Sequence, residues 1–434
     1  MHRKIFQLAI PNLLSNLTVP LVGLADTMVM GRMPENPALY IGAIGLGGTI
    51  FNTMYWSVGF LRMGITGLTA QAFGRGDAAD QANTFGRGLG LALIIGFLFL
   101  ILQVPLEWLG FTLLHGNEGV EDVAAGYFRI RIWAAPAALS LMAIQGWFLG
   151  MQNARFPLYI TIVVNGVNVL LNIWLALGLD MRAEGVALAT VIANYTGLGV
   201  AIALAWFRYR KNLQAMRLAA ITALAPLKRF FDVNGNIFIR TVCLTFVFAF
   251  FTDRSAAAGD DTLAVNQMLL QFFFLMSYGI DGFAFAAESL VGRFTGSKET
   301  DKLKRVIKQL LLWGMLIGLG YTIVYAFGGT WMLERFIPDD EAVQRSAYDY
   351  LLWLVFLPLA SAAAFIWDGI YIGATATKAL RNTMVLATFF VFVPAYYLTM
   401  GWDNHGIWFS MTLFMVARGI LLGLWAKKSI YFSD

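Results

Sequence analysis

The chain has 434 residues, of which 59% are hydrophobic, 15% aromatic and 13% charged, and its net charge is +5 at pH 7. Because this apolar content extends over the whole length, it excludes an ordinary soluble protein and predicts an all-α, polytopic membrane protein. The single cysteine excludes a disulfide framework and a cysteine-rich metal site.

The first apolar segment, about 5–30, carries two prolines and one carboxylate, Asp26. A charge inside a membrane helix costs about 2.5–3.5 kcal/mol at the bilayer centre, so such residues usually have a function. We therefore take Asp26 as the leading candidate for the working group. The alternative is an acid near the helix end, wetted by lipid headgroups. Pro11 and Pro20 each remove a backbone hydrogen bond, so they are candidate hinges.

Eleven further apolar segments follow, which gives twelve predicted transmembrane helices. With the N-terminus in the cytoplasm, 21 Lys and Arg residues fall in inner loops and tails and five in outer loops. This asymmetry predicts that both termini are cytoplasmic, and it explains the net charge without nucleic acid as a partner. The later segments span about 38–72, 84–106, 124–150, 157–179, 185–206, 234–252, 262–292, 306–329, 347–373, 382–400 and 406–425.

The two halves of the chain resemble one another when shifted by about 222 residues. QGWFLG at 145–150, for example, matches DGIYIG at 368–373. Because each half has an even number of segments, the halves should lie the same way up, related by a pseudo-two-fold axis along the membrane normal. We predict an N-terminal lobe at 1–206, a basic cytoplasmic linker at 207–233 and a C-terminal lobe at 234–434. Repeats of this kind predict a transporter with a site near mid-membrane.

Polar side chains lie inside the predicted helices of the first lobe. Asn168 and Asn172 are four residues apart and share a helical face, with Asn165 three residues earlier. Amides are costly in lipid, so these should face protein or water. They are candidates for substrate or cation binding, and interhelical hydrogen bonding is an equally weighted alternative. The next segment adds Thr190, Asn194 and Tyr195 to the candidate site.

Acidic residues lie inside the second lobe. Asp281 and Glu288 are seven residues apart on one helical face, and Asp368 lies in the middle of the tenth segment. Arg62 and Arg240, deep in predicted spans, are candidate partners in buried ion pairs. Structural ion pairs are the favoured interpretation for Asp281 and Glu288, because an unpaired buried charge is costly. The three acids are secondary candidates for a cation site.

The sequence lacks the residues that several kinds of chemistry require. No GxxxxGK[ST] loop occurs, and the three histidines fall in predicted tails or outer loops. We therefore expect no ATP-driven engine, no cofactor, no metal site and no enzymatic activity.

Four strings resemble the multidrug and toxic compound extrusion family. They are TVPLVGLADTMVMGR in the first segment, FLRMGITGLTAQAFGRGD at 60–77, LATVIANY at 188–195 and the run from IRTVCLTF to GRFTG at 239–296. The last string resembles the DinF-like branch, and the resemblance covers essentially the whole chain. It implies a cation-coupled antiporter of the inner membrane, with two lobes, that expels lipophilic and often cationic compounds. We expect it to act as a monomer.

Carried over by position, the resemblance places the first-helix acid of the family on Asp26, whose protonation would rearrange the helix at its proline. The paired positions of the fifth helix fall on Asn168 and Asn172. Many relatives have Asp at the second position, so this chain has one titratable group fewer there. Asp368 falls on an acid implicated in cation binding in sodium-coupled members. No full sodium cage is evident, so protons are the favoured coupling ion and sodium is the alternative.

Two other functions stay open. A flippase for lipid-linked saccharides belongs to a distantly related group, but it would carry a cationic cavity, whereas acids outnumber deep arginines in these spans. A receptor or scaffold would not need repeated lobes with buried acids. Flux measurements in proteoliposomes would discriminate these functions from antiport.

Overall fold

The computed structural model describes residues 1–33, 36–114, 116–336 and 341–431, with side chains for all of these except 19–21, 118, 336 and 341–343. The described residues form helices and connecting turns without β-strands, as the composition predicts. The helices are α1 His2–Met30, α2 Pro37–Ser57, α3 Phe60–Arg75, α4 Ala78–Ile101, α5 Gln103–Leu113, α6 Glu118–Arg131, α7 Ala135–Gly150, α8 Arg155–Leu171, α9 Arg182–Leu213, α10 Leu218–Ile221, α11 Leu224–Ala257, α12 Asp260–Gly296, α13 Thr300–Phe336, α14 Glu341–Gly373, α15 Thr377–Leu386, α16 Val393–Leu398 and α17 Asn404–Ala426. Short π-helical segments at Asn172–Gly178, Ala387–Phe392 and Lys427–Tyr431 follow α8, α15 and α17.

Eleven helical stretches in the described part of the chain are long and apolar enough to cross a membrane. They correspond to eleven of the twelve predicted segments. The remaining segment, 38–72, is divided, because α2 ends at Ser57 and α3 begins at Phe60. The break falls at Val58 and Gly59, where the amide of Gly59 bonds back to the carbonyl of Trp56 in a tight turn. The predicted single span is therefore two consecutive helices.

The turn between α3 and α4 is encoded by the sequence GRGD. Gly76 has a φ of 71°, a left-handed conformation that glycine adopts without steric strain and that commonly ends helices. Asp77 then caps α4, because its carboxylate accepts a hydrogen bond from the backbone amide of Asp80 at 2.9 Å.

Helix packing divides the chain into two units. The first unit is Leu14–Phe231, in which α7 packs against α3 and α4, and α9 packs against α6 and α8. The second unit is Met1–Leu13 together with Asp232–Asp434, in which α14 packs against α12, α13 and α17. The opening residues of α1 thus pack with the second unit. The division into lobes at 1–206 and 234–434 with a linker at 207–233 stays a prediction.

The internal repeat is visible in one helix crossing of each unit. A Cβ atom on Gly146 would lie 3.0 Å from the Cα of Arg62, and one on Gly369 would lie 3.0 Å from the Cα of Ala284. Small residues at such crossings let two backbones approach closely. The two glycines are 223 residues apart and their partners 222 apart, so the α3–α7 and α12–α14 crossings are copies of one arrangement.

Candidate functional site

Asp26 lies on α1, four residues before its last residue, Met30, and is only 8% exposed. Its Oδ1 accepts a hydrogen bond from Nδ2 of Asn172 at 2.6 Å. A short bond from an amide to a carboxylate is typical of a charge-assisted interaction. The carboxylate is therefore packed inside the first unit, with an amide as its hydrogen-bond donor.

The hydrogen bonds continue from Asn172 to α9. Nδ2 of Asn172 also donates to Oδ1 of Asn168 at 3.2 Å, and Nδ2 of Asn168 donates to Oγ1 of Thr190 at 3.1 Å. The Thr190 hydroxyl donates in turn to the carbonyl of Val186 at 3.0 Å. Oδ1 of Asn172 is buried and accepts no hydrogen bond. The network thus joins three helices and leaves one amide oxygen, next to the acid, without a donor.

The helix that carries these amides changes its winding at the site. α8 ends at Leu171, and Asn172 is the first residue of the π-helical segment that runs to Gly178. Segments of π-helix are rare and are frequently found at functional sites. The amide that contacts Asp26 therefore lies at a local break in regular α-helical bonding.

The remaining polar candidates of the first lobe lie at the edge of this network or outside it. Asn194 donates to the backbone carbonyl of Thr190 at 2.8 Å, so it adjoins the network without entering it. Nδ2 of Asn165 is buried without an acceptor. Tyr195 is 46% exposed, and its hydroxyl donates to the carbonyl of Trp133 at 3.2 Å. The structure therefore groups Asp26 with only three of the six predicted partners.

The two candidate hinges lie in one uninterrupted helix. α1 runs through both Pro11 and Pro20. The side chain of Pro20 lies outside the described residues, and Pro11 belongs to the part of α1 that packs with the second unit. A hinge at either proline stays a prediction.

A cationic side chain that the sequence did not single out lies near Asp26. The guanidinium of Arg131, at the end of α6, donates to the hydroxyl of Tyr127 and lies 4.9 Å from the ring centroid of Phe51. It interacts electrostatically with Asp26, and its Nε is buried without an acceptor. The first unit thus holds a fixed positive charge beside its buried acid.

The sequence around Arg131 contains a weak signal for this placement. Arg129 and Arg131 stand two residues apart, so they point in different directions on a helix. In the structure Arg129 is exposed and pairs with Glu107 at 2.7 Å, while Arg131 turns toward the aromatic residues. Periodicity separates the two arginines but does not indicate which one faces the interior.

In the second unit Asp368 is the centre of a buried ion cluster. Its Oδ2 accepts hydrogen bonds from Nη2 of Arg240 and from Nη2 of Arg418, the latter at 2.5 Å. The three residues are 4%, 7% and 1% exposed, in that order. The sequence pattern predicted a buried ion pair for Arg240, but it did not indicate Arg418 as a partner. The carboxylate of Asp368 is therefore bound to two guanidinium groups of the protein itself.

The other charged candidates lie outside the Asp26 network. Asp281, on α12, is half-buried and interacts electrostatically with Arg418, and Glu288 on the same helix is 2% exposed. Arg62, on α3, is half-buried at the crossing with α7. Among the described residues, no group of three or more His, Cys, Asp or Glu side chains could hold a metal ion.

The two units therefore give their buried acids different partners. The hydrogen-bond donor to Asp26 is a neutral group, the amide of Asn172. The hydrogen-bond donors to Asp368 are two charged groups, the guanidinium groups of Arg240 and Arg418.

Comparison with known proteins places both halves of the chain in one family. The MatE family model matches residues 11–174 and 237–398, once in each half. DNA damage-inducible protein F of Escherichia coli (strain K12) is 33% identical over 431 residues, which cover 98% of this chain and 92% of that protein. Probable multidrug resistance protein NorM of Pasteurella multocida (strain Pm70) is 22% identical, with coverage of 98% and 94%.

Solved structures share the fold. A crystal structure of MATE in the bent conformation has a TM-score of 0.87 at 19% identity and covers 99% of this chain and 95% of that one. An outward-facing multidrug resistance MATE family transporter of the MOP superfamily has a TM-score of 0.86 at 19% identity, with coverage of 98% and 95%. Because the family model matches both halves and the E. coli relative is similar over nearly the whole length, the chain belongs to the MatE family of multi-pass membrane transporters.

Proposed function

We propose that this protein is a secondary antiporter that exports lipophilic compounds, cationic ones in particular, in exchange for protons, with Asp26 as the coupling group. The observation that carries the proposal is the hydrogen bond from Asn172 to the buried carboxylate of Asp26. A relative named as a probable multidrug resistance protein supports the substrate class. The distribution of Lys and Arg supports an inner-membrane location with both termini in the cytoplasm.

Protonation changes what Asp26 needs from its neighbours. An ionised carboxylate only accepts hydrogen bonds, whereas a protonated carboxyl also donates one. Nδ2 of Asn172 serves the ionised form, and Oδ1 of the same amide, buried without a donor, offers an acceptor to the protonated form. A rotation of this one amide therefore matches the site to either state of the acid.

That rotation would reach beyond Asp26. Nδ2 of Asn172 also donates to Asn168, so turning the amide breaks this second bond and removes support from the chain of bonds to Thr190. The amide lies where regular α-helical bonding gives way to the π-helical segment Asn172–Gly178. Proton uptake at α1 would thus change contacts on α8 and α9.

Mutual exclusion at one acid gives the coupling. A cationic substrate pairs with the ionised carboxylate, and an incoming proton neutralises Asp26 and removes that attraction. A membrane potential of about 100 mV supplies about 2.3 kcal/mol per charge moved. This free energy corresponds to a 40- to 50-fold substrate gradient, roughly, for each proton.

The test is transport of the lipophilic cation tetraphenylphosphonium in proteoliposomes under an imposed pH gradient. We expect the parent protein to drive efflux and Asp26→Asn to abolish it while the protein stays folded. Asp122→Asn removes an exposed acid from α6 and serves as the matched control, with parent-like efflux expected. Full pH-driven efflux by well-folded Asp26→Asn would overturn the coupling role. Efflux that follows a sodium gradient and does not respond to a pH gradient would identify sodium, and not the proton, as the coupling ion.

A further inference from the structure

Residues 207–231, called the linker segment below, belong to the first unit and are attached to α4 by hydrogen bonds. Arg87 on α4 donates from Nη2 and Nε to the carbonyls of the last two residues of α10, at 2.7 and 3.2 Å. At the other end of α10, Oδ1 of Asn83 accepts a hydrogen bond from the backbone amide of Arg217 at 3.1 Å. The linker segment therefore has a defined place on the surface of the first unit.

The linker segment carries a high positive charge, since it contains six Lys and Arg residues and no Asp or Glu. All six are exposed, and none forms an ion pair with an acid in the part of the chain that the structure describes. Asp80, the acid beside Arg87, is paired with Arg75 and Arg87 at 2.6 and 3.7 Å. The described acids therefore leave this positive charge unbalanced. The six residues are Arg208, Arg210, Lys211, Arg217, Lys228 and Arg229.

Large apolar side chains are exposed on the same segment. Phe207, Leu218 and Leu224 are each at least 77% exposed. In water this exposure is unfavourable, because apolar surface is stabilised by burial. Exposed aromatic and leucine side chains next to Lys and Arg are typical of segments that lie on a membrane surface. The linker segment thus combines the two kinds of side chain that an anionic membrane surface binds.

The position of the segment along the helices indicates that it lies at the depth of the lipid headgroups. On α4, exposed large apolar side chains begin at Ile94, seven residues after Arg87, which is about 10 Å along a helix. The headgroup region extends about 5–8 Å beyond each side of the apolar core. On α9, the exposed rings of Trp206 and Phe207 immediately precede Arg208, and aromatic residues are enriched at this level of a membrane.

We propose that the linker segment binds anionic phospholipid headgroups of the cytoplasmic leaflet. The proposal rests on the proposed orientation of the chain and goes beyond the antiport mechanism. Lipid phosphates accept charge-assisted hydrogen bonds from guanidinium and ammonium groups, and each basic residue near an anionic surface strengthens binding about fivefold. Leu218 and Leu224 insert among the acyl chains. Because zwitterionic lipids have no net charge, the surface should select anionic ones.

The test is native mass spectrometry of the purified full-length protein, with phosphatidylglycerol and phosphatidylcholine of equal chain length as the probes. We expect the parent to bind phosphatidylglycerol more tightly. Arg208→Gln, Arg210→Gln and Lys211→Gln together remove three charges and should weaken phosphatidylglycerol binding about 100-fold, with little change for phosphatidylcholine. Arg208→Lys, Arg210→Lys and Lys211→Arg together keep the charges and should bind like the parent.

Two more variants test the apolar contribution and the location. Leu218→Gln with Leu224→Gln keeps every charge and should weaken the binding of both lipids. Lys302→Gln, Lys304→Gln and Arg305→Gln together remove three charges from the first turns of α13, at another predicted inner turn, and serve as the matched control. This control should bind phosphatidylglycerol nearly as well as the parent. A melting temperature equal to that of the parent checks that each variant is folded.

Parent-like binding of phosphatidylglycerol by the triple Gln variant of the linker segment overturns the proposal, and the exposed surface is then left for a protein partner. An equal loss in the α13 control also overturns it, because the attraction is then diffuse. The outcome is separable from that of the proposed function, since lipid binding is measured without transport. Asp26→Asn should bind phosphatidylglycerol like the parent, and pH-driven efflux can stand while the lipid surface fails.

Discussion

Asp368→Asn should destabilise the second unit, because it removes the carboxylate that two buried guanidinium groups share. Arg240 and Arg418 are 7% and 1% exposed, so neither can turn to solvent when its counter-ion is lost. Removing one partner of a buried ion pair costs about 3–5 kcal/mol. For a unit of roughly 220 residues, each kcal/mol lowers the melting temperature by about 2–4 °C. The expected decrease is therefore about 6–20 °C.

The protein contains its own reporter for this measurement. Cys243 is the single cysteine in the sequence, is 5% exposed, and lies one turn after Arg240 on α11. A thiol-reactive fluorescent dye should label it only when the second unit opens on heating. Asp253→Asn is the matched control, since Asp253 forms an exposed ion pair with Arg254 and exposed pairs contribute little. Its melting temperature should equal that of the parent.

A double variant separates charge imbalance from other effects of the substitution. Adding Arg418→Met to Asp368→Asn removes one unpaired cation and should recover part of the lost stability. If Asp368 instead acts as a cation site, for which the sequence makes it a secondary candidate, Asp368→Asn should affect efflux more than folding. Suppose that Asp368→Asn melts within about 2 °C of the parent but has lost efflux. The expected stabilising role of the Asp368 ion cluster is then wrong, and Asp368 takes part in transport.

Three further substitutions test the hydrogen bond to Asp26, the α12–α14 crossing and the candidate hinge in α1. Asn172→Ala removes both the donor and the acceptor next to Asp26. Because an unsatisfied buried group costs roughly 1–3 kcal/mol, pH-driven efflux in proteoliposomes should fall about 5- to 150-fold. Gly369→Ala places a methyl group 3.0 Å from the Cα of Ala284 and should cost about 1–3 kcal/mol by the dye assay, whereas Gly320→Ala, with nothing within 4 Å, should not destabilise. Pro20→Ala should slow turnover in flux assays with little change in substrate affinity, because it removes a weak point from α1.

Composition and local spacing were sufficient to predict the structural features that depend on residues close together in the sequence. Apolar runs of membrane length predicted the spans, and the repeat QGWFLG and DGIYIG marked Gly146 and Gly369, which lie at equivalent helix crossings. The four-residue spacing of Asn168 and Asn172 predicted a shared face, and the two amides are hydrogen-bonded. Each of these features follows from helical geometry alone.

Features that depend on distant residues could not be read in this way. Arg418 meets Asp368 from 50 positions away, and Asn172 meets Asp26 from 146 positions away, so no periodicity links them. Arg131 has a neighbour of the same type, and only the packed structure decides which one faces inward. The break between α2 and α3 lies inside an apolar run, where Gly59 is a weak signal among many glycines.

The division of α1 between two packing units has a consequence for biosynthesis. Phe6 packs edge-on against Phe283 and Trp313, with ring centroids 5.7 and 4.7 Å apart, yet these partners are made roughly 280 and 310 residues later. At about 5–20 residues per second, the ribosome needs roughly 15–60 s to reach them. The earliest part of the chain must therefore wait in the membrane until α12 and α13 arrive. A fragment that begins at Asp232 lacks this element, so the second unit can be completed only by a chain, or a pair of fragments, that supplies both ends.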